Sequence, residues 1–243
     1  MDDAATTLLQ PPVSSEMIPP RHTPRVHLVT PAAVERTVAR CGVARVLTGA
    51  ERRAFDLLQL ERRRRDWLAG RLAAKRAVRA HYDRTGKPIP PYASIEIWNE
   101  ASGAPRISIR GRGGLSADLA ISIAHAEGAG VAGLVASPTA RVGVDVELTR
   151  PIDLALVRRV LSRGEIARLD DGSADHPTAL SLWTAKEAAM KAVSDTCTAL
   201  REVELEWSGG RTTAARVAST DAHPVVVRHR VIGPYTVAVA WSK

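Results

Sequence analysis

Segments with strand-like and helix-like periodicity follow one another along this chain without strict alternation. Polar and apolar residues alternate over short runs such as 25–30 and 141–148, whereas apolar residues recur with helical spacing over 50–82 and 177–195. A doubly wound parallel sheet needs helices and strands that alternate regularly along the chain. Because this order does not provide that alternation, the sequence predicts an α+β fold.

Glycine and proline divide these segments. The stretch 83–91 contains Gly86 and several prolines and ends the first helical region, which we expect to form two helices. The turn Glu127-Gly128-Ala129-Gly130 is expected to join two strands as a hairpin. A second helical region is predicted at 151–170, with a stop at 171–173. Further strands are predicted at 94–98, 106–109, 119–124, 131–137 and, after the helix over 177–195, at the end of the chain up to 241.

Two of the predicted helices share a pattern. Trp67, Arg71 and Lys75 have the same spacing as Trp183, Glu187 and Lys191. Two related halves would explain this echo, and chance similarity between Ala-rich helices is the alternative. The predicted organisation is therefore a tail rich in Pro, Ser and Thr, which we expect to be disordered, followed by two α+β halves, at 1–24, 25–138 and 139–243.

Composition excludes some locations and favours others. Hydrophobic residues make up 45% of the chain, which is typical of globular proteins, and no uncharged apolar run reaches the roughly 18 residues of a membrane span. The N-terminus lacks a basic segment followed by an apolar run, so no secretory signal is expected. The only cysteines, Cys41 and Cys197, do not make a disulfide framework. A cytoplasmic location is the expectation.

The net charge of +8 favours an anionic partner. Nucleic acid, an acidic protein surface and a phosphate-rich small molecule all fit this charge. Aromatic residues make up only 4% of the chain, which counts against single-strand nucleic-acid binding because that binding relies on aromatic stacking.

Asp145 and Glu147 lie in the strand Val142-Gly-Val-Asp-Val-Glu147. Side chains alternate along a strand, so both carboxylates share one face. Neighbouring carboxylates repel each other unless solvent or a cation separates them. One interpretation is a half-buried strand with a hydrated acidic face. The other is a cation site, since Mg²⁺ binds oxygen ligands and takes one or two carboxylates together with substrate phosphate.

Glu187 and Lys191 lie one helical turn apart and beside Trp183 rather than opposite it. A charged side chain within an apolar stripe needs a partner, because burying a lone charge is costly. We favour a functional site here over a solvent-exposed ion pair, which would contribute only a few tenths of a kcal/mol.

Arg71 and Lys75 repeat this placement in the upstream helix. Two cations one turn apart fit a phosphate clamp, and they also fit side chains whose stems lie over the edge of the core. His125 follows the predicted strand at the start of a glycine-containing turn, where its ring can donate to a phosphate. A lone histidine at a strand end is more often structural.

Taken together, these segments resemble those of 4′-phosphopantetheinyl transferases of the long, monomeric, surfactin-synthetase-activating type. Val142–Glu147 is similar to the family's metal-binding strand, and Trp183-Thr-Ala-Lys-Glu187-Ala-Ala-Met-Lys191 is similar to its Trp-Thr-x-Lys-Glu-x-x-x-Lys helix. Ser122-Ile-Ala-His125 resembles its Ser-x-Ser-His segment, and Trp67–Lys75 resembles its upstream basic helix.

The resemblance implies a fold, a reaction and a set of site residues. The fold would be two similar α+β halves related by a pseudo-twofold axis, in a monomer. The reaction would move 4′-phosphopantetheine from coenzyme A to a serine of an apo acyl or peptidyl carrier protein, without nucleic acid or membrane as a partner. The implied roles are Mg²⁺ or Mn²⁺ binding by Asp145, Glu147 and Glu187, catalysis by Glu187 and Lys191, and coenzyme A binding by Arg71, Lys75, Arg106 and His125.

Two positions depart from the family pattern. Ala124 stands where the family has a serine before the histidine, and Ala104 stands where it has the lysine of Gly-Lys-Pro. These departures leave open an alternative in which the protein binds coenzyme A without turnover and has a regulatory role. A basic nucleic-acid-binding protein is a third interpretation, and it would leave the carboxylates unexplained.

Overall fold

The structure, a computed structural model, describes residues 23–111, 114–115, 118–171, 178–193, 199–207, 212–217 and 225–242. The chain divides into two compact units, Met1–Thr139 and Ala140–Lys243, and each combines helices with antiparallel sheets. The α+β prediction is therefore confirmed. The predicted tail lies outside the described residues except for Thr23 and Pro24. None of the described helices is long and apolar enough to cross a membrane.

Strands of the described part of the first unit form two antiparallel sheets, in the orders β1-β6-β5 and β2-β3-β4. The strands are β1 (Arg25–Val29), β2 (Ile95–Asn99), β3 (Pro105–Ile109), β4 (Gly114–Leu115), β5 (Leu119–Ala126) and β6 (Ala129–Ala136). The helices are α1 (Pro31–Cys41), α2 (Val43–Val46), α3 (Gly49–Asp56) and α4 (Glu61–Arg84), with a short 3₁₀ turn at Tyr92–Ser94.

Local signals explain several of these boundaries. α1 was not predicted, although Thr30 caps it by accepting from the Ala33 amide and Pro31 occupies its first turn. The predicted hairpin is present as β5 and β6, with a two-residue turn at Glu127-Gly128. Both turn residues have positive φ values, 49° and 78°, as a two-residue hairpin turn of the mirror-image type requires.

The second unit contains an antiparallel sheet in the order β7-β11-β10-β9-β8. Its strands are β7 (Val142–Leu148), β8 (Val203–Trp207), β9 (Thr212–Val217), β10 (Val225–Ile232) and β11 (Tyr235–Ser242). Its helices are α5 (Leu154–Arg158), α6 (Arg163–Asp171) and α7 (Ala179–Val193), with a 3₁₀ turn at Leu200–Glu202.

The helix predicted over 151–170 is two helices instead. α5 ends at Arg158, and α6 begins at Arg163. The physical reason is a capping box: the Ser162 hydroxyl accepts from the Glu165 amide, and the Glu165 carboxylate accepts from the Ser162 amide. This pair starts a new helix where the periodicity alone suggested a continuous one.

A long helix packs against a sheet in each unit, and one glycine allows each close approach. A Cβ atom at Gly130 of β6 would lie 2.3 Å from the Ala69 backbone of α4. A Cβ atom at Gly143 of β7 would lie 2.0 Å from the Ala188 carbonyl oxygen of α7. Any side chain at either position would force helix and sheet apart.

In the first unit, a buried ion pair ties α4 to the elements around it. Lys75 of α4 is fully buried and its Nζ lies 2.5 Å from Glu51 Oε2. The same ammonium group donates to the Val46 and Tyr92 carbonyls at 2.8 and 3.0 Å. Glu51 also accepts from the Ile97 amide of β2 at 3.1 Å, so one carboxylate joins α3, α4 and a strand.

The second unit repeats this arrangement. Lys186 of α7 is fully buried, donates to both Glu165 oxygens at 3.0 and 2.7 Å, and donates to the Val203 carbonyl. Glu165 also accepts from the Leu205 amide of β8 at 2.9 Å. Lys186 thus makes a buried ion pair of the same kind as Lys75, although the sequence echo matches Lys75 with Lys191. The pseudo-twofold relation of the two halves stays a prediction.

Gly143→Ala is expected to destabilise the protein by about 1–3 kcal/mol, because the new Cβ would overlap the α7 backbone. Urea unfolding followed by circular dichroism measures the change. Gly49→Ala is the matched control, since its Cβ would meet only the Arg53 side chain at an ordinary 3.7 Å. Equal unfolding midpoints for the two variants would contradict the close packing described above.

Candidate functional site

Asp145 and Glu147 lie on the face of β7 that α7 covers. Gly143 is on this face because its missing Cβ points at the α7 backbone, and residues two and four positions later share the face. Asp145 is only 7% exposed, and Glu147 at the end of the strand is half-buried. The hydrated acidic face considered from the sequence is therefore wrong for Asp145, whose carboxylate is buried under a helix.

α7 presents a stripe of three side chains, Trp183, Glu187 and Lys191, to these carboxylates. Lys191 Nζ lies 3.0 Å from Asp145 Oδ1 and also donates to the Val144 carbonyl at 3.0 Å. Two turns earlier, Trp183 forms a side-chain hydrogen bond with Glu147. Glu187 lies between Trp183 and Lys191 on the helix, and its charge acts on both Asp145 and Glu147. The structure thus brings together the carboxylates and the lysine that the sequence singled out.

Burial changes the acidity of the two strand carboxylates. Desolvation raises the pKa of Asp145 to about 7, with smaller upward contributions from Glu147 and Glu187 that oppose the lowering effect of Lys191. Desolvation also raises the pKa of Glu147, against the lowering effect of the Trp183 hydrogen bond. Asp145 Oδ2 is buried and accepts no hydrogen bond. A site that desolvates carboxylates and leaves an acceptor unsatisfied is one that a cation would stabilise.

The donor chemistry of this cluster fits Mg²⁺, which binds carboxylate oxygens and retains several waters. In the described residues, however, no set of three His, Cys, Asp or Glu side chains is arranged to hold a metal ion as the structure stands. The Lys191 ammonium supplies the positive charge at Asp145. Metal binding by Asp145, Glu147 and Glu187 therefore stays a prediction.

The predicted coenzyme A residues lie in the first unit and have different surroundings. Lys75 donates all three of its ammonium protons to Glu51, Val46 and Tyr92, as described above. A buried ammonium group with no remaining donor cannot also bind a phosphate. The structure therefore gives Lys75 a structural role in place of the predicted phosphate contact.

Arg71 keeps part of its capacity for a ligand. Its guanidinium carbon lies 4.6 Å from the centroid of the Trp67 ring, and its Nε is buried without a hydrogen bond, 3.9 Å from Glu51. Desolvation lowers the pKa of Arg71, although the Glu51 carboxylate opposes this effect. An acceptor placed within hydrogen-bond distance of Nε would satisfy this group.

His125 and Arg106 are exposed at the ends of strands in the first unit. The ring of His125 packs beside Gly70, the residue that precedes Arg71. The guanidinium of Arg106 binds both oxygens of Glu100, with nitrogen–oxygen distances of 2.8 and 3.1 Å. Phosphate binding by Arg71, Arg106 and His125 stays a prediction.

Three residues that support the site were not predicted as functional. Gly143 could have been found because an isolated glycine within a strand pattern marks a close backbone approach. Glu165 could have been found from the Ser-x-x-Glu signature of a capping box. Lys186 lies inside the quoted helix motif, but nothing in one sequence pairs it with Glu165, which lies 21 residues earlier.

Comparison with known proteins gives a family match for most of the second unit. Residues 141–240 match the family model of the 4′-phosphopantetheinyl transferase superfamily. No curated protein matches the chain.

Several solved structures are similar to about half of the chain. An apo-ACPS structure from Chronobacterium ammoiniagenes is 26% identical, with a TM-score of 0.39, and the match covers 47% of this chain and 94% of that one. A holo-(acyl-carrier-protein) synthase from Bacillus anthracis, in complex with CoA (3′,5′-ADP), is 24% identical with a TM-score of 0.37 and the same coverage.

The family match covers the segment that holds the carboxylate cluster. That the protein is of the long monomeric subtype stays a prediction. Residues 141–240, with Asp145, Glu147, Glu187 and Lys191 among them, thus form a domain of the 4′-phosphopantetheinyl transferase superfamily, which confirms the family resemblance and the enzyme class predicted from the sequence.

Proposed function

We propose that this protein transfers 4′-phosphopantetheine from coenzyme A to a serine hydroxyl of an apo acyl or peptidyl carrier protein, in a Mg²⁺-dependent reaction in the cytoplasm. The observation that carries the proposal is the cluster in which Lys191 binds Asp145 while Glu187 acts on both strand carboxylates. This cluster lies within the segment that matches the transferase superfamily. The net charge of +8 suits partners that carry phosphates or acidic surfaces.

Each residue of the cluster has a chemical task in this proposal. The serine oxygen forms a bond to the phosphorus of the phosphopantetheine group, the bond to adenosine 3′,5′-bisphosphate breaks, and the serine proton passes to Glu187, directly or through water. Lys191 stabilises the negative charge that develops on the phosphate oxygens. Asp145, Glu147 and Glu187 would hold Mg²⁺, which when bound would neutralise the pyrophosphate.

For the first unit, the proposal rests on the sequence resemblance. Arg71, Arg106 and His125 are proposed to contact the phosphates of coenzyme A and so to position the reacting phosphorus. Arg71 is the residue of this group with a local observation behind it, because its buried Nε lacks an acceptor.

Glu187→Gln is expected to reduce phosphopantetheine transfer at least 100-fold, since glutamine cannot take the serine proton. The assay is intact-protein mass spectrometry of apo carrier proteins after incubation with the enzyme, coenzyme A and Mg²⁺. Wild-type protein should add one phosphopantetheine group to at least one carrier, and EDTA should prevent the addition.

Glu35→Gln on the exposed face of α1 is the control for this variant and should transfer normally. Near-normal turnover by Glu187→Gln would contradict the role of Glu187. Coenzyme A binding without transfer to any carrier would favour the non-catalytic binder, and salt-sensitive DNA binding without coenzyme A dependence would favour the nucleic-acid interpretation.

A second prediction concerns the metal-free protein. The pKa of Asp145 is about 7 in the folded state against 3.8 for an ordinary aspartate, so between these values the folded state holds a proton that the unfolded state lacks. The stability gained from this proton is fully present below about pH 4 and is lost as the pH rises through about 7. Asp145→Asn, which stays neutral, should raise the free energy of unfolding above pH 8 by about 1–3 kcal/mol.

Urea unfolding in EDTA at pH 5 and pH 8 measures this effect. Asp56→Asn, at an exposed position in α3, is the control and should leave the difference between the two pH values unchanged. If Asp145→Asn is no more stable than wild type at pH 8, burial of the Asp145 carboxylate does not lower the stability of the folded protein.

A further inference from the structure

One flank of α7, about 100° around the helix from Glu187, is held by Lys186. Its ammonium group makes three hydrogen bonds, two to Glu165 and one to the Val203 carbonyl, and the side chain is fully buried. An ammonium group has three protons, so this set leaves it no freedom to reorient. Lys186 therefore fixes one point on the surface of α7 relative to α6 and β8.

Glu165, the partner of Lys186, is itself immobilised. It accepts from the Ser162 amide at 2.7 Å in the capping box of α6 and from the Leu205 amide of β8 at 2.9 Å. Two backbone amides thus fix the position of the carboxylate independently of Lys186. Lys186 is therefore held at a fixed position relative to the backbone of α6 and β8. It does not merely contact another mobile side chain.

A second anchor holds the opposite side of the same helix. Because Gly143 has no side chain, the Ala188 carbonyl of α7 lies against β7 in the space that a Cβ atom would occupy. Lys186 and Ala188 lie two residues apart, on different sides of α7, because successive helical residues are rotated by about 100°. Two anchors on different sides fix the rotation of α7 about its axis.

Glu187 lies between these two anchors. A rotation of α7 by roughly 10–20° would displace a side chain as long as glutamate by more than the tolerance of about 0.5 Å that catalytic geometry allows. We propose that Lys186 is a positioning residue: through Glu165 and Val203 it sets the rotation of α7 at which Glu187 and Lys191 face Asp145 and Glu147. This inference rests on the proposed function, in which that cluster binds a divalent cation.

The first unit provides a matched control inside the same chain. Lys75 makes the same kind of buried pair with Glu51 and also bonds two carbonyl groups. The residue that follows Lys75, however, is Arg76, which donates to Thr37 and faces no carboxylate cluster among the described contacts. If the buried pair served stability alone, its removal from either unit would have the same effect on metal binding by the folded protein.

The experiment removes each pair as a whole. Lys186→Met with Glu165→Gln and Lys75→Met with Glu51→Gln replace each charged pair by neutral side chains of similar shape, which avoids leaving one buried charge unpaired. Binding of Mn²⁺ to the free protein, followed by electron paramagnetic resonance of the unbound ion, reports on the carboxylate cluster without requiring turnover. Thermal unfolding of both variants measures their stability.

We expect the variant without the Lys186 pair to bind Mn²⁺ at least 10-fold more weakly than wild type, and the variant without the Lys75 pair to stay within twofold. In the transfer assay, the first variant should also show a raised KM for Mg²⁺, beyond any fall in kcat. Lys186→Arg, which keeps the charge but not the shape, should recover only part of the Mn²⁺ affinity.

Either of two results with the paired variants would overturn the inference. One is Mn²⁺ affinity within twofold of wild type in the variant without the Lys186 pair, and the other is an equal loss in both paired variants. Failure of the proposed function is a separate outcome: wild-type protein would bind Mn²⁺ in a Lys186-dependent way yet modify no carrier protein. Absence of Mn²⁺ binding by wild-type protein would overturn both the metal site and the role of Lys186.

Discussion

A buried lysine–glutamate pair holds together the helix, the capped helix start and the strand of each unit. Glu51 caps α3, accepts from β2 and binds Lys75 of α4, and Glu165 does the same for α6, β8 and α7. Removing one partner of such a pair usually costs about 3–5 kcal/mol, because the other charge is left buried. A pair of this kind contributes less to net stability than to the selection of a single packing arrangement, since few arrangements of the chain satisfy every donor and acceptor at once.

That constraint determines what the helix can bring to the sheet. With Lys186 fixed, α7 can approach β7 only where a glycine and several alanines remove the side chains between them. Close packing excludes water from the covered face of β7, and the carboxylate of Asp145 lies on that face. The raised pKa of Asp145 is thus a consequence of how the helix packs, and any loosening of α7 would lower that pKa as water returned.

The sequence predicted the site residues of the second unit better than their surroundings. Asp145, Glu147, Glu187 and Lys191 could be found because charged groups placed among apolar ones are conspicuous within one element, and the structure brings them together. Lys75 was misassigned for the same reason: a lone cation in an apolar stripe looks like a ligand until its partner is known. Glu51 lies 24 residues earlier, and periodicity within one helix has no information about contacts at that distance.

The predicted helix boundaries are wrong where a side-chain hydrogen bond, and not the apolar periodicity, determines the start of a helix. The predicted helix over 151–170 is interrupted because Ser162 and Glu165 satisfy each other's backbone amides, which competes with continuation of the helix. α1 was missed although Thr30 and Pro31 are standard start signals.

The pairing of Lys191 with Asp145 leaves a cluster whose negative charge either a proton or a cation can reduce. A buried carboxylate with one oxygen bound to an ammonium group and the other unsatisfied is costly, and either a proton or a cation would relieve that cost. Because Lys191 binds Oδ1 of Asp145 and also donates to the Val144 carbonyl, a cation could bind the unsatisfied Oδ2 without displacing the ammonium group. A cluster of three carboxylates and one lysine keeps a net negative charge that a divalent cation can neutralise, and the neutralised cluster would no longer repel an anionic substrate group.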